Sequence, residues 1–129
     1  MNNLAMLLGR ILMSAIFIQA GYSKLMNISG TIGYFQSVGL PMPSIAIWGV
    51  IAIEILGGLA ILLGVQTRIA AAFLGLFSIA AGAIGHADIN DLMHFQALMK
   101  DIAIGGGLFY IAANGAGSLS IDGRRTSEI

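Results

Sequence analysis

Residues 44–64 read SIAIWGVIAIEILGGLAILLG, an apolar stretch of 21 residues with a single glutamate, Glu54, at its centre. A transmembrane helix needs roughly 20 mainly apolar residues, so this stretch predicts a membrane span. A charged side chain at the centre of a span costs about 2.5–3.5 kcal/mol on insertion scales. Glu54 therefore requires a cationic partner or a proton, and the group that neutralises it is a candidate functional residue.

The composition of the whole chain predicts a membrane protein. Of its 129 residues, 57% are hydrophobic and only 9% are charged, with a mean hydropathy of +0.90. Soluble domains carry about 25% charged residues. The net charge is zero and no cluster of Lys and Arg exists, which argues against nucleic-acid binding. The absence of cysteine excludes disulfides, thiol relays and Cys-ligated metals.

Apolar segments and breakers predict a single all-α domain over residues 1–129, a four-helix transmembrane bundle. The predicted helices cover residues 4–24, 44–64, 69–85 and 95–113. Between the first two, a segment rich in Gly and Pro with the aromatics Tyr34 and Phe35 is expected to lie in the membrane interface. The polar tail, residues 114–129, is expected to be loosely ordered. Because the N-terminus lacks a basic leader and Arg10 interrupts its apolar run, we interpret it as a retained helix and not a signal peptide.

The distribution of basic residues predicts the orientation. Four spans place both termini on one side, together with Arg68 and the Arg124–Arg125 pair. Cytoplasmic loops carry an excess of Lys and Arg. We therefore predict a multi-pass protein with both termini in the cytoplasm.

Arg10 is the candidate partner of Glu54. It begins a stripe on one face of the first helix, with spacings of i, i+4, i+7, i+11 and i+14, formed by Arg10, Ser14, Phe17, Gly21 and Lys24. At a rise of 1.5 Å per residue, Arg10 lies roughly 9 Å into the membrane and its long side chain could reach the centre. Two interpretations of the Arg10–Glu54 pair stay open: an interhelical contact without chemistry, and a ligand or proton site.

Four further polar residues fall near the outer ends of the helices and predict a polar mouth there: Lys24, His86, His94 and Lys100. The simpler interpretation is that the lysines extend to lipid headgroups and the histidines lie at the interface. No third ligand type occurs at metal-binding spacing, so we predict neither a metal nor a haem site.

Two segments suggest a duplicated helical unit. Arg-Ile occupies the second and third positions, and Ala-Gly the last two, in both GRILMSAIFIQAG and TRIAAAFLGLFSIAAG. The second and fourth helices each carry a Gly pair before a Leu, at residues 57–59 and 106–108. Chance similarity among apolar helices is an equally good explanation, so the repeat stays a hypothesis.

Three segments together resemble the DoxX family of small bacterial four-helix inner-membrane proteins. They are LGRILMSAIFIQAGYSKL (8–25), IEILGGLAILLGVQTR (53–68) and LMKDIAIGGGLFYIAANGAGSLSID (98–122). The resemblance covers nearly the whole chain and implies an inner-membrane location. Five residues occupy positions that the family typically fills in the same way: Arg10, Lys24, Glu54, His86 and Lys100. Where the family commonly has Lys-Asn before the last helix, this chain has Lys100–Asp101, which puts any role of that Asn in doubt.

The resemblance implies a quinone- or redox-associated membrane subunit, because some relatives belong to thiosulfate:quinone oxidoreductase systems. Without cysteine or a metal site, such a subunit could not store electrons alone and would need either a redox partner protein or the substrate pair itself. Quinone is the one cofactor we expect. Two alternatives remain. The chain could be a non-enzymatic membrane protein that stabilises a partner complex, or a small-solute transporter, which four short helices would form only as a homo-oligomer.

Overall fold

The computed structural model describes residues 2–86 and 90–127, and over these residues it is 85% helical with no strand. The predicted all-α class is confirmed. The helices are α1 (Asn2–Met26), α2 (Ile28–Ser37), α3 (Pro43–Leu63), α4 (Thr67–Gly85), α5 (Leu92–Asn114) and α6 (Ile121–Ser127).

The helix ends follow local chemistry. Pro43 opens α3, where its missing N–H would have had no helical partner. Gly64 ends the same helix in a left-handed conformation, with φ of 73°, that glycine adopts without strain. Asp91 caps α5 because its carboxylate accepts a hydrogen bond from the backbone N–H of Met93. These signals place the four long helices within a few residues of the predicted segments.

Three helices of the described chain, α1, α3 and α4, are long and apolar enough to cross a membrane. The helix α5 has 23 residues but is not among them, and it carries Lys100 and Asp101 side by side. Large apolar side chains cover the outside of the bundle, among them Leu12, Leu56 and Leu76, each more than 60% exposed. Such a surface suits lipid and not water, as expected for an all-α membrane bundle.

The long helices pack as two antiparallel pairs. The first pair is α1 with α3, and the second pair is α4 with α5. Leu74 of α4 fits against Gly57 of α3 where the pairs meet, and the core there also contains Phe17, Ile61, Ala71 and Leu108. The short helix α2 lies against the first pair through Phe35, which packs on Ile47 and Ile51.

The two pairs share one arrangement at the end of the bundle that holds the α3–α4 turn. Arg10 of α1 donates to the carbonyls of Ile61 and Leu62 in the last turn of α3, and Arg68 of α4 donates to those of Ala112 and Ala113 in the last turn of α5. The last carbonyls of a helix have no partner within it, and the helix dipole favours a cation there. The two Arg-Ile segments therefore occupy equivalent places in the two pairs.

The C-terminal tail is more ordered than its composition predicts. Asp122 of α6 accepts hydrogen bonds from the backbone N–H groups of Gln66 and Thr67, which begin α4 without a side-chain cap of their own. Its backbone N–H donates to the carbonyl of Gly64. The expectation of a loose tail was wrong for residues 115–124, because these contacts attach it to the α3–α4 turn.

Candidate functional site

The predicted stripe on α1 forms the contact with α3. Arg10, Ser14, Phe17 and Gly21 are all buried, and Lys24 at the far end is partly exposed. A Cβ atom at Gly21 would lie 3.3 Å from the Cβ of Glu54, so glycine lets the two backbones approach closely at this level. This contact sets the register between the helices, with Glu54 opposite Gly21.

Lys24 is the partner of Glu54. Its Nζ atom lies 2.9 Å from Oε1 and 3.2 Å from Oε2 of the glutamate. The Glu54 side chain is 7% exposed, while that of Lys24 is 25% exposed. The lysine therefore reaches from the edge of the bundle into its interior and balances the buried charge.

The predicted Arg10–Glu54 ion pair was wrong. Arg10 is 1% exposed and gives its N–H groups to three backbone carbonyls, those of Ile61, Leu62 and Leu119. Glu54 lies level with Gly21, which is eleven residues, or about 16 Å along the axis, from Arg10. The depth of each residue was estimated from its own helix end, and that estimate missed the register between the helices.

The second pair carries a corresponding acid. A Cβ atom at Gly82 of α4 would lie 2.8 Å from the Cβ of Asp101 on α5, as Gly21 lies against Glu54. His86, four residues after this glycine, has its Nε2 atom 4.0 Å from Oδ2 of Asp101. Each pair of helices thus places an acid beside a glycine, with a basic residue one turn further along.

His94 extends this second cluster. Its Nδ1 atom lies 3.0 Å from Nδ1 of His86, and the ring centroids are 5.3 Å apart. One of the two nitrogens must carry the hydrogen for a bond to form. Within residues 2–86 and 90–127, no three His, Asp or Glu side chains form a group that could hold a metal ion.

A cavity of about 590 Å³ separates the two acids. This volume is within the usual range for small-molecule sites, roughly 300–1,000 Å³. Most of its wall is apolar, and the aromatic or bulky members include Phe35 of α2, Phe77 of α4 and Ile104 of α5. The polar side chains on the wall come from all five long and short helices around it: Lys24, Tyr34, Glu54, Ser78, His86, Lys100 and Asp101.

The predicted polar mouth corresponds in part to this cavity. Lys24, His86 and Lys100 line it, whereas His94 reaches it only through His86. Glu54 belongs to the same cavity, and Arg10 lies at the opposite end of the bundle among backbone carbonyls. The structure therefore brings together five of the six predicted site residues and separates Arg10 from them.

Sequence reasoning missed Asp101 and Tyr34 as site residues. Asp101 lies seven positions after His94, a spacing that places both on one face of a helix, and this signal could have identified it. Tyr34 extends from α2 to Gly85 of α4, where a Cβ atom would clash with its hydroxyl oxygen. No local pattern indicates that contact, since it depends on how α2 folds back over the cavity.

The arrangement can bind a small, largely apolar ligand with polar groups at its edges. Lys24 and Lys100 supply N–H donors, the carboxylates of Glu54 and Asp101 supply acceptors, and His86 can do either. Donors and acceptors lie on both helix pairs, so a ring between them could be held from two sides. The site can also exchange protons, because all five of these side chains are acids or bases.

Comparison with known proteins agrees with this architecture. A model of the DoxX family matches residues 5–87. "Inner membrane protein YqjF" of Escherichia coli (strain K12) is 34% identical over 122 residues, covering 95% of this chain and 92% of that protein. "Inner membrane protein YphA" of the same organism is 31% identical over 127 residues, covering 92% of this chain and 89% of that protein. "Putative oxidoreductase CatD" of Bacillus subtilis (strain 168) is 39% identical over 75 residues, covering 58% of this chain and 54% of that protein. No solved structure matches.

Proposed function

Since the chain belongs to the DoxX family, we propose that it is a quinone-binding membrane subunit that works with a redox partner protein. The observation that carries this proposal is the cavity between the two helix pairs, with an acid and a basic residue on each side. The printed name of one relative, "Putative oxidoreductase CatD", which is similar to 58% of this chain, supports the same direction.

The residues of the cavity fit a quinone. A quinone is a flat apolar ring with carbonyl oxygens at its edge, and a ring of this kind suits the walls formed by Phe35, Phe77 and Ile104. Its carbonyls require hydrogen-bond donors, which Lys24 and His86 present on opposite helix pairs. The corresponding quinol requires acceptors, and Glu54 and Asp101 lie beside those donors.

A bound quinone would supply a carrier for two electrons and two protons. The chain's own residues hold the ring, exclude water from it and deliver or accept protons at the carboxylates of Glu54 and Asp101. Because the cysteine-free chain offers no thiol that could store electrons, a partner protein or the substrate itself exchanges them with the quinone.

The proposal is tested by measuring the quinone retained after purification into lipid nanodiscs, with extraction and mass spectrometry. Ala97 of α5 lines the cavity, whereas Ala103 of the same helix is exposed and does not. We expect Ala97→Phe to lower retained quinone about tenfold, equivalent to ~1.4 kcal/mol of binding free energy, and Ala103→Phe to leave it unchanged.

Equal retention by the two variants, or a wild-type level no higher than the quinone content of the surrounding lipid, would contradict the proposal. In that case, cross-linking in native membranes distinguishes the alternatives. One recurrent heteromeric product would favour a non-enzymatic subunit of a partner complex, and solute flux in proteoliposomes would favour a transporter.

A further inference from the structure

The second helix pair contains three titratable side chains in a row, and only two of them belong to the proposed quinone site. Asp101 and His86 line the cavity, and His94 lies behind His86 on the side away from it. His94 belongs to the first two turns of α5, at the end of the bundle where α4 leads towards α5. Its distance along the helix from Asp101 is seven residues, or about 10 Å. The row therefore runs from the end of the bundle at which α5 begins to the cavity.

We propose that His94, His86 and Asp101 form a proton relay between the aqueous phase and the cavity. Two contacts connect these side chains: His94 Nδ1 lies 3.0 Å from His86 Nδ1, and His86 Nε2 lies 4.0 Å from Asp101 Oδ2. The first is a hydrogen-bond distance, and a rotation of the His86 ring or one bridging water closes the second. That the protons serve a quinone rests on the proposed function; the relay itself does not.

One proton crosses the relay in three steps. A proton from water binds Nε2 of His94, and the Nδ1 proton of the same ring passes to Nδ1 of His86. His86 then gives its Nε2 proton to the carboxylate of Asp101, which becomes the neutral acid. One proton has entered and one carboxylate has been neutralised, and both imidazole rings are neutral again in their other tautomers. Exchange with water returns the rings to the starting tautomers.

The surroundings of the relay bear on the charge that it carries. Lys100 precedes Asp101 on α5 and lines the same cavity, so a cationic side chain lies close to the proton acceptor of the relay. The titratable and charged groups that face His86 or lie across the cavity from it are His94, Lys100 and Asp101 on α5, Tyr34 on α2, Lys24 on α1 and Glu54 on α3. Because Glu54 is already paired with Lys24, Asp101 is the acid that remains for His86.

The relay can be tested without quinone. The protein in nanodiscs of quinone-free lipid is subjected to a rapid drop in pH, and protonation of Asp101 is followed by the infrared band of the carboxylic acid. The band is assigned by its loss in Asp101→Asn. General acid–base groups contribute about a hundredfold or more, and water partly replaces them, so we expect His94→Gln to slow the protonation at least about tenfold.

Two further measurements separate a relay from a structural role. Added imidazole should restore the rate in His94→Ala, and Gln96→Ala, an exposed change two residues away, should leave the rate unchanged. In the wild-type protein, nitrogen-15 NMR of labelled histidine should show one hydrogen shared between the two Nδ1 atoms. This second measurement holds even where a variant fails to fold.

Protonation of Asp101 at the wild-type rate in His94→Gln, or two histidine rings that titrate independently, would overturn the relay. Failure of the proposed function has a different signature. The wild-type protein would then bind no quinone. If His94→Gln still slowed the protonation of Asp101 and the two Nδ1 atoms still shared a hydrogen, the relay would stand and only the quinone would be excluded.

Discussion

Glu54 is an acid in the most apolar helix of the molecule, and Lys24, one turn beyond Gly21 on the neighbouring helix, answers its charge. Taking one partner away from a buried ion pair leaves an uncompensated charge, which costs about 3–5 kcal/mol when both groups are fully buried. Arg10 has a different role. It donates hydrogen bonds to the carbonyls of Ile61 and Leu62 at the end of α3 and to that of Leu119, just before α6.

This assignment predicts a specific pattern of coupling. Because Lys24 is partly exposed, we expect Lys24→Met to destabilise the protein by about 2 kcal/mol and Glu54→Gln in the same chain to recover most of that loss. Arg10→Met should also destabilise, but additively with Glu54→Gln to within about 0.5 kcal/mol. Unfolding in mixed micelles with increasing dodecyl sulfate measures both cycles. Strong coupling of Arg10 with Glu54, and none with Lys24, would show that the ion pair has been assigned to the wrong cation.

The sequence predicted that Glu54 needs a cation and that α1 supplies it, because both follow from burial and from the spacing along one helix. It did not predict which cation, since that depends on the register between antiparallel helices. The register is set by close contacts such as Gly21 against Glu54, which involve residues more than 30 positions apart. His94 and Asp101 lie on one helix, so the sequence alone could have predicted that they share a face.

At the scale of elements, α2 connects the first helix pair to the second. The segment predicted to lie in the membrane interface forms a short helix that buries Phe35 against α3 and extends Tyr34 to α4. Gly85 is the residue that makes this contact feasible, because any side chain there would displace the Tyr34 hydroxyl group. We infer that α2 closes one side of the cavity through Tyr34.

Gly85→Ala should therefore displace α2 and lower both the melting temperature and the quinone retained by the purified protein. Tyr34→Phe removes the clashing hydroxyl group and should restore most of both properties in the double variant. Gly106→Ala is the matched control, because Gly106 has open space around its missing side chain. Thermal unfolding and quinone content are measured on the same samples. A Gly85→Ala protein that behaves like Gly106→Ala would contradict the contact.

At the scale of the whole molecule, two similar helix pairs enclose one cavity. Three features recur in both pairs, which supports the hypothesis of a duplicated helical unit: the Arg-Ile segments, the glycines beside Glu54 and Asp101, and the Ala-Gly ends. The sequence could not show that the recurring acids face a common space, because the packing of one pair on the other involves contacts between distant parts of the chain.

The predicted topology can be tested with single cysteines in a chain that has none of its own. Gln36 and Met93 are exposed at the end predicted to face outward, and Ser118 is exposed at the end predicted to be cytoplasmic. An impermeant maleimide added to spheroplasts should label Gln36→Cys and Met93→Cys but label Ser118→Cys only after lysis. Labelling of Ser118→Cys in intact spheroplasts would contradict the cytoplasmic C-terminus and, together with outward Met93, a membrane-spanning α5.

The central claim is that the space between the helix pairs holds the ligand. Its most direct test is photolabelling of the nanodisc-embedded protein with a photoreactive quinone, followed by peptide mass spectrometry. We expect labels on the cavity wall, at Phe35, Phe77 and Ile104, and an excess of unmodified quinone should prevent this labelling. Labels confined to the outward-facing side chains, such as Leu12, Leu76 and Tyr110, with no competition, would contradict it.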